Sequence, residues 1–297
     1  MSDDLIGDPT NASDAAADAA SAMPDSPPGA VTPCPAAVGG GGAAASPPAN
    51  PCAGQGMAND TSEKAFRDGF KKLQTDWSKL TVDQRQQKLG TLVNAALALS
   101  GAPTVGIRPL LSASDAGNFD FPAWRLNLGD ANLKSATLPD ATAKEFAGTV
   151  YHETRHAEQW YLMARKRAGE GKTADEITTE LGIPKSVAES AVKAPLKRDD
   201  LRHACATSLY DSVYGANKAH REDVLREIRQ AKVDVTAAQQ DYERINADPK
   251  ATAAQKQAAS LRWQQSYASF QTAYGKYKAL PEEADAWASG DNVVNNW

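Results

Sequence analysis

The residues of this chain best suited to chemistry lie in one short run, Tyr151-His152-Glu153-Thr154-Arg155-His156, which reads H-E-x-x-H. On a helix, His152 and His156 stand four residues apart and share a face, so both imidazoles can bind one Zn²⁺. Glu153 follows the first of them, within reach of a water at the metal, where a carboxylate serves as general base. A catalytic zinc needs a third protein ligand. His203 and His220 are the only other histidines. His203 reads as a partly buried helix residue and His220, beside Lys218 and Arg221, as a surface one. The carboxylates of Glu282, Glu283 and Asp285 are better placed, because Pro281 can open a fresh helix under them. One of them can bind the metal while another holds a histidine N–H.

The elements that must position these groups can be read from spacing. Asp60 and Glu63 form a capping-box pair, followed by Phe66, Phe70, Leu73, Trp77 and Leu80 on a helical repeat. Thr81 and Gln84 cap a second helix, which Gly101-Ala102-Pro103 stops. Thr104 to Leu111 and Phe119 to Leu128 read as strands, the second an edge strand because of Pro122. Thr142 and Glu145 cap the motif helix, which runs to about Arg167.

Thr173 and Glu176 cap a helix that turns at Gly182 into another. That pattern is shared by DNA-reading helix pairs and by plain helical corners, and the corner is the better fit. A helix from about Arg198 to Gly215 comes next. Val224, Ile228, Ala231, Val235, Ala238, Tyr242 and Ile245 then repeat on a heptad, as do Trp263, Tyr267, Phe270, Tyr274 and Tyr277 beyond Asn246-Ala-Asp-Pro249. The pattern predicts a long antiparallel helical hairpin over 221–280 with the tyrosine stripe in its core.

Composition divides the chain. Residues 1–60 contain no Lys, Arg or aromatic residue, and 33 of the 60 are Ala, Gly or Pro. Such a segment buries too little apolar surface to offset its ordering entropy, so 1–60 reads as a disordered acidic leader and 61–297 as the folded domain. Its functional reading is a delivery segment for a secretion machine; its bland one is a tail. The net charge of −5 argues against a nucleic-acid binder, and there is no apolar run of membrane-spanning length. Cys34, Cys52 and Cys205 are sparse and odd in number, which predicts neither a disulfide framework nor a cysteine zinc site. The N-terminus lacks a Sec-type signal. The expectation is folding in the cytoplasm of the producing cell, with a non-Sec export route open.

His152-Glu153-Thr154-Arg155-His156, followed far downstream by Glu283-Ala284-Asp285-Ala286-Trp287, resembles a zincin metallopeptidase of the gluzincin type. The resemblance covers about twenty residues. It implies that His152, His156 and Glu283 are zinc ligands and Glu153 the general base, with Asp285 supporting the ligands and Glu282 the rival third ligand. It implies a mainly α fold with a small β component (α+β), a zincin-like core, and the hairpin as an insertion that leaves the site undisturbed. Arg155 and Glu158 put charge beside the second histidine, where zincin helices usually keep it away. The strand Phe119–Leu128 would run along the cleft and pair with an extended protein or peptide substrate. Tyr210, Tyr214 and His203 are the candidates for steadying the oxyanion. Leader and hydrolase together are similar in style to bacterial effectors or toxins delivered by a contractile secretion system, which brings an immunity or secretion-system partner into the expectation, and neither nucleic acid nor membrane. The alternative is a non-enzymatic helical interaction protein that uses the hairpin, with a structural or vestigial metal site.

Overall fold

A computed structural model describes residues 50–110 and 116–297. The fold is mostly helical with one small three-stranded sheet, as the α+β expectation has it. Its helices are α1 Asp60–Asp76, α2 Val82–Ser100, α3 Asp130–Lys134, α4 Asp140–Gly169, α5 Ala174–Leu181, α6 Lys185–Lys193, α7 His203–Val213, α8 Lys218–Ala247, α9 Ala253–Lys278 and α10 Pro281–Asn295. The strands are β1 Gly106–Leu110, β2 Gly117–Asp120 and β3 Arg125–Gly129.

Helix α4 carries the motif and is the centre of the fold. Every residue from Val150 to Lys166 is buried, polar ones included. A helix buried all round must find partners for its charged side chains inside the protein. Around it pack α1, α2, α5, α6, α7, α10 and the sheet. It starts at Asp140 after Pro139, so Thr142 and Glu145 lie inside the helix and do not cap it.

The sheet order is β1-β3-β2, with β1 parallel and β2 antiparallel to β3. The expected single strand Phe119–Leu128 is therefore a hairpin. Phe121-Pro122-Ala123-Trp124 turns the chain, the Asp120 carboxylate accepts the Ala123 N–H at 3.0 Å, and Trp124 takes a left-handed φ of 52°. Pro122 lies in this turn, where its missing N–H costs no ladder bond. Among the described residues β2 is an edge of the sheet, and that edge faces α4.

At the start of the described chain the structure departs from the sequence reading. The stretch 50–59 is packed, with Cys52 and Met57 buried. Cys52 is disulfide-bonded to Cys205 of α7, 153 residues away. In the chain-entropy account a loop of that size is worth about 5 kcal/mol. Asn59, one residue earlier than expected, caps α1 by accepting the Ser62 N–H. The remainder of the expected leader, 1–49, lies outside the described residues.

Helices α8 and α9 form the hairpin. Ile228, Val235, Trp263, Tyr267 and Phe270 are buried between the arms, and the Tyr242 ring meets Trp263 at 4.9 Å. With 30 and 26 residues the arms are about 45 and 39 Å long. Trp263→Ala should cost roughly 3 kcal/mol, read as a fall in denaturation midpoint at unchanged slope. A change within 0.5 kcal/mol would mean that the arms are not held by this seam.

Candidate metal centre

Helix α4 places His152 and His156 one turn apart, with Nε2 atoms 3.1 Å from each other. Helix α10 brings the third group. Glu283 lies in its first turn, with Oε2 3.7 Å from His152 Nε2 and Oε1 3.6 Å from His156 Nε2. All three residues are buried, and their ligand atoms lie within 4.8 Å of one another. Ligands at 2.0–2.1 Å around a tetrahedral zinc stand about 3.3 Å apart, so the spacing fits.

The two helices can approach this closely because glycines meet where they cross. A Cβ on Gly290 would lie 3.0 Å from the Gly148 carbonyl oxygen and 3.3 Å from His152 Cβ. Gly290→Val should force α10 off α4, costing about 1–3 kcal/mol and weakening metal binding through the displaced Glu283. Equilibrium unfolding and zinc titration of the same variant check both halves.

Neighbouring carboxylates are committed elsewhere. Glu282 accepts from Arg221 Nε and Ser212 Oγ, both at 2.6 Å, and is fully buried. Asp285 touches neither histidine. It accepts from Arg155 Nε at 2.7 Å, Gln159 Nε2 at 2.8 Å and Asn50 Nδ2 at 3.1 Å. Its support reaches the ligands through Gln159. The Gln159 amide nitrogen donates to Asp285 and to the Glu282 carbonyl, which only accept, so its oxygen must face His156 Nδ1, 2.8 Å away. His156 therefore carries a proton on Nδ1, and in the neutral ring Nε2 is the atom left to bind metal.

The charges beside the second histidine are paired with each other and with α10, though Arg155 Nη2 is left buried without a hydrogen-bond partner. Arg155 pairs with both Glu158 and Asp285, and all three are buried. Glu158 also accepts the Met57 N–H at 3.0 Å. Gly56, at φ 55°, passes so close to Glu158 that a Cβ would run into the carboxylate.

Electrostatics in the cluster favour a cation at its centre. Burial, reinforced by His156, pushes His152 down to about 3. Burial lowers His156 too, but the facing Glu283 carboxylate outweighs it and holds His156 up at about 9. Glu283, which burial alone would raise, is drawn down to about 2 by the two imidazoles and by a hydrogen bond from Tyr277. Glu283 Oε2 is buried with no hydrogen-bond partner. A carboxylate stabilised by positive charge, with a ligand oxygen left over and two imidazole nitrogens aimed at the same point, fits a divalent ion of the zinc type.

A cleft opens over the cluster, lined among others by Phe119, Trp160, Tyr277, Trp287 and Val294. Glu153 sits in its wall, 3.9 Å from His152 Nε2, with a hydrogen bond from the Phe119 backbone in β2. Burial pushes its carboxyl up to about 8. The hairpin does not leave this site undisturbed, because its base supplies Arg221 and Tyr277 to the cleft. None of the three expected oxyanion groups lines it. Tyr210 bonds Glu180, Tyr214 bonds the Leu181 carbonyl, and His203 lies near Thr207. Sequence spacing could have found Gln159, three residues past His156 on one helix face. Tyr277 was hidden in the heptad stripe. No protein-family model matches the chain, and neither a curated protein nor a solved structure does.

Proposed function

We propose that the protein is a zinc-dependent metallopeptidase of the gluzincin type, with His152, His156 and Glu283 as ligands and Glu153 as general base. One observation carries the reading. Of the three carboxylates that open α10, Glu283 alone lies against both histidines, while Glu282 and Asp285 are held by arginines. Zinc, when bound, would supply Lewis acidity to the scissile carbonyl and to the attacking water. Glu153 takes the proton of that water as its oxygen bonds to the carbonyl carbon. It then passes the proton to the amine nitrogen as the C–N bond breaks. A carboxyl pushed up to about 8 is matched to holding and releasing a proton near neutrality. The Tyr277 hydroxyl, in the cleft, is our assignment for steadying the oxyanion, its one proton turning from the Glu283 carboxylate to do so.

The β2 edge beside Glu153 supports an extended protein or peptide chain as the substrate. Delivery as a bacterial effector or toxin rests on the Ala/Gly/Pro composition of 1–60 alone, and an immunity partner would follow from it. Among the described residues no helix is long and apolar enough to cross a membrane.

The test is metal analysis of the purified protein with hydrolysis of an unfolded protein such as casein. One zinc per chain and activity lost on chelation and regained with zinc are expected. A second reading draws on Val233 and Leu261, exposed on the outer faces of the hairpin arms. There the hairpin binds a partner and the metal is structural, so zinc would be present without hydrolysis.

A further inference from the structure

We propose that residues 50–59 are a positioning strap for the metal centre, and that the Cys52–Cys205 bond makes the centre's hold on its metal depend on redox state. The proposal rests on the reading of His152, His156 and Glu283 as ligands. The strap reaches the site by an unbroken path. Asn50 donates to Asp285 Oδ1, Asp285 Oδ2 accepts from Gln159, and the Gln159 oxygen receives His156 Nδ1–H. A second anchor lies beside each histidine. The Tyr151 hydroxyl donates to the Met57 carbonyl at 2.6 Å, and Glu158, partner of Arg155, accepts the Met57 N–H. Groups that orient ligands from outside the first ring set metal affinity by about 10–100-fold when removed.

The strap contains no helix or strand, and its buried apolar side chains are Cys52 and Met57; besides the anchors above it is held by turn bonds within itself and by Asn59 and Ser62, which donate to the Gly56 carbonyl. Turn bonds inside the segment shape it without docking it, so among its links to the rest of the fold the covalent tie to α7 decides whether ten residues without regular structure stay in place. Reduction would proceed by thiol–disulfide exchange. A dithiol thiolate attacks one sulfur, and its second thiol resolves the mixed disulfide. Two electrons pass to the Cys52–Cys205 bond, both cysteines end as thiols, and the dithiol ends as a cyclic disulfide. Asp285 then loses its Asn50 donor and Glu158 its Met57 N–H. Gln159 keeps its bond to the Glu282 carbonyl and Arg155 its bond to Asp285, but both now rest on carboxylates that have lost a support.

The experiment compares the full chain in oxidised form, after reduction by dithiothreitol and its anaerobic removal, and as the Cys205→Ser and Asn50→Ala variants. Zinc affinity is read by chelator competition, the ring ¹⁵N signals of His156 by NMR of the metal-free protein, and Tm alongside. Reduction and Cys205→Ser should weaken zinc binding 10–100-fold and move the His156 signals, with those of exposed His220 unchanged. Asn50→Ala, with its disulfide intact, should move both in the same direction by less. A lower Tm with zinc affinity within twofold and His156 unmoved would overturn the proposal and leave the disulfide a staple. If no form bound zinc, the metal reading would fail on its own. The His156 signals would then decide, supporting the strap's positioning role if they move on reduction and overturning it if they do not. Should Cys205→Ser not fold, reduction and Asn50→Ala decide the matter by the same readouts.

Discussion

Glu153→Gln should keep its zinc and lose peptide hydrolysis, with kcat/KM down by at least about 10²–10⁴. The side chain is nearly isosteric, and its oxygen can still accept the Phe119 N–H that holds Glu153 in the cleft wall. What it cannot do is take a proton. Glu153 stands 3.9 Å from His152 Nε2 and its carboxylate is not one of the three converging ligand groups, so metal content should stay at the wild-type level. Zinc retained with activity retained would remove Glu153 from the mechanism. Zinc lost would make it a ligand.

Adjacent carboxylates should fail in different ways. Glu283→Ala removes a group that faces both histidines, and zinc affinity should fall by more than the roughly 100-fold that supporting groups cost. Glu282→Ala should leave the ligand set whole. It strands Arg221, buried with its carboxylate partner gone, and breaking a buried ion pair from one side costs about 3–5 kcal/mol. The first variant is thus a folded protein that binds metal poorly, the second an unstable one that binds it well at temperatures where it is folded. Chelator competition and denaturant unfolding, run on both, separate them. The reverse pattern would move the third ligand by one residue.

The motif helix, and the acidic turn that brings a third group to the histidines, were legible because local rules fix them, although spacing alone left Glu282 and Glu283 as rivals. Four-residue spacing aligns His152 with His156, and Pro281 starts a helix that carries Glu283 inward. The hairpin was legible for the same reason, since a heptad states its partner face. What surrounds the ligands was not. Tyr277 sits on the heptad stripe as its neighbours do, and only the landing of the hairpin base on α7 and α10 gives it a second task. Arg155 and Glu158 look out of place on a helix with a solvent side, but α4 has none between Val150 and Lys166. Cys52 and Met57 were lost in a stretch of Ala, Gly and Pro whose average composition hides two buried anchors. The strand 119–128 hid a turn, because Phe121 and Trp124 carry the apolar pattern straight through Pro122.

Chain direction sets when a working centre can exist. His156 leaves the ribosome 127 residues ahead of Glu283. At about 5–20 residues per second that is an interval of about 6–25 s. Throughout it the nascent chain holds His152, Glu153 and His156 without the Glu283 carboxylate, the Trp287 and Val294 wall or the Gly290 crossing that α10 brings. On the metallopeptidase reading, the cell making the protein meets no competent enzyme during synthesis, and a chain that stalls or is cut inside the hairpin is inert.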